Sequence, residues 1–168
     1  MGGGGYYGVT TVKTEAAPDG IPFTSTRKGN HFQDGRGHVS VVLYPKPFGF
    51  VFEYNGGIGP QLGVNNRFEV GNRVLYGGHL TVMYKIDRPF KTIAIIPFAR
   101  GVMYDGGKKF VTNSPRYKVR ELEVGIEWQI MKPLEIVIAY LISDRTSDKY
   151  PYKQEYGHYA RFQAQVNF

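Results

Sequence analysis

The chain has no cysteine and a single tryptophan in 168 residues. Without thiols there is neither a disulfide framework nor a thiolate metal site. Long apolar runs are missing too. They break within roughly 10 residues, whereas a membrane-spanning helix needs about 20. No export leader is expected in this stretch, because Met1-Gly2-Gly3-Gly4-Gly5 has no basic n-region and no apolar h-region. The sequence holds no HExxH, GxSxG, phosphate-loop or EF-hand pattern. His38, His79 and His158 fall on different predicted strands, and His31 falls in a loop. No enzymatic activity, metal or cofactor is therefore expected. These absences leave one membrane class open, since a barrel strand needs only about 9–11 alternating residues.

What the chain does hold is glycine and aromatics, with 22 Gly, 13 Tyr and 11 Phe. That mixture favours strands joined by tight turns over long helices. The length suits one domain or part of a larger one. The formal net charge is +7. Lys and Arg are spread through turns, loops and strands rather than gathered in an arm, which excludes a nucleic-acid tail. Two readings remain for them: scattered surface cations, or a channel interior that concentrates anions.

The C-terminal residues alternate strictly. Ala160, Phe162, Ala164, Val166 and Phe168 point one way; Arg161, Gln163, Gln165 and Asn167 point the other. Period two is a strand with one apolar face and one wet face. The same pattern predicts strands over 36–44, 48–55, 73–85, 118–130, 134–145 and 157–168. Residues 90–104 are ambiguous, because Ile93 to Ile96 are apolar on both faces and Pro97 interrupts. Arg100 is placed on the polar face there. Residues 6–14 offer an eighth strand, with neither face convincingly apolar.

Three connections contain proline, which cannot donate to a ladder and belongs between strands. They are Tyr44-Pro45-Lys46-Pro47, Ile86-Asp87-Arg88-Pro89 and Met131-Lys132-Pro133. Polar, Gly-rich stretches at 55–72, 105–116 and 146–156 alternate with them. Short turns at one end and long loops at the other are the asymmetry of bacterial outer-membrane barrels. Phe48, Tyr84, Trp128 and Phe168 all fall on the apolar face beside a short turn or the terminus. They are expected to form an aromatic periplasmic edge.

The polar face carries Arg36, His38, Glu53, Arg73, His79, Lys85, Glu121, Glu123, Glu127, Glu135, Arg145 and Arg161, with Arg100. The bland reading is a row of wet side chains pairing across strands at about 0.2–1 kcal/mol each. The functional reading is a permeation path, with Arg36, Arg73, Lys85, Arg100, Arg145 and Arg161 as candidate anion donors. Glu53, Glu121, Glu123, Glu127 and Glu135 nearly balance them. Glu121, Glu123 and Glu127 span roughly 20 Å of strand at about 3.4 Å per residue, too far to share one ion. A turn near Lys132 sets Gln129 opposite Glu135 and Glu123 opposite Leu141, and Arg100 is expected near Glu121.

Four stretches carry a family resemblance. They are Leu43-Tyr44-Pro45-Lys46-Pro47-Phe48-Gly49-Phe50 leading to Glu53-Tyr54-Asn55; Pro97-Phe98-Ala99-Arg100 with Tyr104-Asp105-Gly106-Gly107-Lys108-Lys109; Glu121-Leu122-Glu123-Val124-Gly125-Ile126-Glu127-Trp128-Gln129; and Gln163-Ala164-Gln165-Val166-Asn167-Phe168. From about Gly35 onward the chain resembles the C-terminal part of a phosphate-selective porin of the O and P family; residues 1–34 match little. The resemblance implies a sixteen-stranded outer-membrane barrel, a homotrimer in outer-membrane lipid, and arginines and lysines along the pore. It also implies that the aromatic terminus serves as an assembly signal. A chain of this length supplies about half of such a barrel.

The expected fold is thus all-β, an antiparallel transmembrane barrel present as an open part of about 7–8 strands. The expected function is passive diffusion of small hydrophilic solutes, anions and phosphate among them, across a bacterial outer membrane. An exported protein needs a leader, so the chain is expected to be a piece of a longer one. Two alternatives stand beside this. A complete eight-stranded structural or adhesive barrel requires residues 6–14 to pair with 157–168. A soluble ligand-binding barrel requires the apolar face to turn inward.

Overall fold

The computed structural model describes residues 1–11, 24–25, 31–62, 69–107, 116–147 and 153–166. Their secondary structure is almost wholly strand. The strands are β1 (Gly2–Thr11), β2 (Thr24–Ser25), β3 (His31–Leu43), β4 (Phe48–Leu62), β5 (Glu69–Tyr84), β6 (Ile86–Asp87), β7 (Ala94–Gly107), β8 (Arg116–Met131), β9 (Leu134–Ser147) and β10 (Lys153–Val166). Eight of them follow one path, β1-β3-β4-β5-β7-β8-β9-β10, and every step along it is antiparallel. The two-residue β2 lies parallel to β5, and β6 pairs with β7.

Alternation builds these strands, and the turns fix which way each faces. Residues opposite one another in an antiparallel pair share a face. Val39 opposes Tyr54, Phe52 opposes Leu80, Val124 opposes Tyr140, and Ile138 opposes Phe162. The apolar sides of the separate strands therefore merge into one surface. Pro60 and Pro97 sit inside strands, where a missing N–H ordinarily breaks a ladder. Each falls where one neighbour has run out. Pairing of β3 with β4 ends at Ile58, and pairing of β5 with β7 ends at Phe98. This is how β7 passes through the stretch whose register was ambiguous.

The strands are longer than the sequence pattern indicates. The Gly-rich stretch 55–72 is strand up to Leu62 and again from Glu69, and residues 105–107, 116, 146–147 and 153–156 are strand as well. Composition pointed to loops, but alternation continues through these segments and glycine fits where backbones crowd. A Cβ on Gly57 would stand 2.2 Å from the carbonyl oxygen of Gly35, so this glycine lets β3 and β4 approach. The contrast between short turns and long loops shrinks accordingly. On the other side, residues 85–93 form no short turn. They contain β6 and a 3-10 turn, Pro89–Lys91, with Arg88 and Phe90 at positive φ.

The N-terminal strand begins four residues ahead of the 6–14 reading, whose residues 12–14 lie outside the described ones. It runs over Gly2–Thr11 and pairs with β3, not with β10. Among the described residues β1 and β10 each have one partner, so the sheet is open and the closed eight-stranded alternative is not formed.

Candidate functional site

A single layer of strands has no second sheet to bury a side chain against. Burial restricted to one face therefore marks the concave side. The buried side chains Phe32, Leu75, Ala94, Ile96, Ala139, Gln61, Glu123 and Ser143 all lie on the face that carries the charges. The opposite face presents Leu80, Leu122, Val124, Ile126, Ile138 and Phe162 to the surroundings, and Phe162 is 69% exposed. This chain is inverted relative to a soluble sheet packed on its apolar face.

Register places Arg36, Glu53, Arg73, Arg100, Glu121, Glu123, Glu127, Glu135, Arg145 and Arg161 on the concave face. Lys85 lies just past the end of β5, where its Nζ meets Asp87 Oδ1 at 2.9 Å. The side chains gather in groups. Arg145 reaches Glu121 at 2.7 Å, and the Ser143 hydroxyl donates to the same carboxylate at 2.9 Å. Arg161 reaches across β9 to Glu123 at 2.7 Å. Gln129 and Glu135 are opposite one another, as are Glu123 and Leu141. Arg100 is on the concave face as expected; it opposes Glu123 in register and also interacts electrostatically with Glu121, its diagonal neighbour. Its Nε is buried without a hydrogen-bond partner. Asn55 donates to Glu53 at 2.9 Å, and Gln129 donates to Glu127 at 2.8 Å. Of the glutamates that looked like one acidic row, Glu121 and Glu123 are each paired with a separate arginine, while Glu127 accepts from an amide.

Toward the N-terminal edge the concave face forms a recess of about 940 Å³. Tyr6, Arg36, His38, Asn55, His79 and Tyr104 line it. Arg36 is held by Asp34 at 3.3 Å, and the Tyr6 hydroxyl donates to the same oxygen at 3.3 Å. The Tyr104 hydroxyl donates to the Gly107 carbonyl. Asp34, Tyr6 and Tyr104 escaped the sequence reading. The period-two count through the Gly-rich segments held the only signal for them. Beyond the apolar band, Lys153 lies 2.5 Å from Glu155. The pair holds the Glu155 carboxyl below its ordinary range and raises the Lys153 ammonium.

At the proline-bearing end, Phe48 and Tyr84 are register partners on the convex face, and Trp128 opposes Ile95. Phe48 is 53% exposed and Tyr84 50% exposed. Phe168 lies outside the described residues. Tyr44 and Phe90, both strongly exposed, stand in the connections at the same end. Both fell within the stretches 36–44 and 90–104 read from the pattern, and both lie outside the observed strands β3 and β7.

The arrangement provides a wall of donors and acceptors, in which Glu121 takes both Arg145 and Ser143 and Glu123 takes Arg161. Among the described residues no group of His, Asp and Glu could hold a metal ion. Comparison with family models, with curated proteins and with solved structures gave no match.

Proposed function

We propose that this chain is part of an outer-membrane channel of the phosphate-selective porin type. Small hydrophilic solutes, anions among them, diffuse along its charged concave face, and its convex face meets outer-membrane lipid. The observation that carries this reading is the inverted burial described above. Lipid stabilises an exposed apolar face that water does not, and a hydrated lumen solvates the charges. The dimensions agree. The outward face from Val74 to Tyr84 covers about 34 Å of strand at ~3.4 Å per residue. At a barrel tilt of about 40° that is roughly 26 Å, close to the ~25 Å apolar band of such barrels. Exposed aromatics at one end fit an interfacial girdle. The four sequence stretches support the family reading and its homotrimer.

Spin labels test the orientation. Labels at Val124 and Phe162 are expected to respond to lipid-dissolved oxygen, and labels at Glu127 and Gln163 to a water-soluble nickel complex. The reverse pattern sinks the proposal. For the channel itself, planar-bilayer recording of the full-length protein should show ohmic current. No current in repeated insertions rules out permeation.

A further inference from the structure

The convex face carries charge that the solute path does not use. Along β8, Leu122, Val124, Ile126 and Trp128 are apolar, and the next outward residues are Arg120 and Lys118. Neither cation forms an ion pair among the described residues. Each faces a carboxylate across the ladder, Lys118 opposite Asp105 and Arg120 opposite Asp144. Asp105 takes Arg116 at 2.5 Å. Asp144 opposes Arg120 in register, and its Oδ1 accepts from Gln154 Nε2 at 3.1 Å.

Directly below Arg120 is a groove of about 420 Å³, lined by Phe52, Leu80, Met103 and Leu122 with Arg120 and Asp144 at its head. Its floor is Gly101, which opposes Leu80 on β5 and Leu122 on β8. A Cβ built on Gly101 meets nothing within 4 Å. The chain's own packing thus gives no reason for glycine here, and the open space runs outward. An apolar trough whose head carries three cations, Arg116, Lys118 and Arg120, against two carboxylates, Asp105 and Asp144, matches a molecule with a hydrocarbon tail and an anionic head.

We propose that this groove holds an anionic membrane phospholipid, with one acyl chain over Gly101 and its phosphate at Arg120 and Lys118. The inference rests on the outer-membrane reading. Arg binds phosphate through its fork of donors, and cations at the edge of an apolar band attract anionic headgroups. A free phosphate gains nothing from the apolar walls. A second copy of the chain is a poorer occupant, because Asp105 and Asp144, the carboxylates nearest this patch, are already engaged.

The test is native mass spectrometry of the full-length protein in detergent, supplied with equal phosphatidylglycerol and phosphatidylcholine. Phosphatidylglycerol should be retained about tenfold more. The pair Lys118→Gln with Arg120→Gln should erase that preference while single-channel conductance stays the same, and Arg120→Lys should keep most of it. Gly101→Leu, for which the fold leaves space, should reduce retention of both lipids. Equal retention of the two lipids by the native protein overturns the proposal. So does displacement of the lipid by millimolar inorganic phosphate, which would mark a free-anion site, or a dimer that forms in place of the lipid adduct. Partition into plain phosphatidylcholine vesicles separates the two readings. Partition without an anionic preference defeats this inference alone, and failure to partition defeats both.

Discussion

At the residue scale the central feature is Glu123. It is 5% exposed, its carboxylate faces the Arg161 guanidinium, and Arg100 is its cross-strand neighbour. One anion therefore sits between two cations. Glu123→Gln removes it and leaves Arg161 without its carboxylate partner, while Arg100 keeps Glu121 nearby. We expect a loss of about 1–3 kcal/mol in stability, read from urea denaturation of the protein in lipid vesicles. In the proposed channel the same change should shift the reversal potential in a salt gradient toward anions. An unchanged midpoint would show that Arg161 finds another partner. The sequence placed Glu123 and Arg161 on the wet face, since parity alone decides that. It did not show the bond between them, because they sit two strands apart and meet over Ala139, whose short side chain leaves the path clear.

At the element scale the hairpin β3–β4 depends on close approach. With a Cβ at Gly57 only 2.2 Å from a backbone oxygen of β3, Gly57→Val must push the strands apart. The expected cost is about 1–3 kcal/mol, measured as a lower thermal midpoint in detergent. Gly101→Ala, with open space at its Cβ, should leave that midpoint unchanged. Equal effects of the two would remove the steric argument. Here too the sequence was only partly legible. Leu122 to Trp128 announced their face without ambiguity. The Gly-rich ends of β4 and β5 did not, because glycine signals a loop and a crowded strand equally well. Pro97 concealed β7, because its tolerance depends on where β5 stops pairing, which no local pattern records.

At the scale of the whole molecule the two edges and the convex face decide behaviour in solution. β1 and β10 each present a row of backbone groups with no second strand among the described residues. Such edges pair with whatever strand they meet, and a broad apolar face adds to the drive to associate. The isolated chain should therefore aggregate in plain buffer and disperse in detergent. Size-exclusion chromatography with light scattering checks this, and a sharp monomer without detergent would contradict it. All-β class and open form were legible from alternation and from the weak N-terminal strand. Which edge that strand joins was not, because β1 is mostly glycine and pairs through its backbone.

The path of eight long strands has a further consequence in simple parity. Each step reverses direction, so β1 and β10 run oppositely. A complement with an even number of strands meets both margins antiparallel, while an odd number forces one parallel seam. Whatever completes the circle is thus restricted by arithmetic before any side chain is consulted.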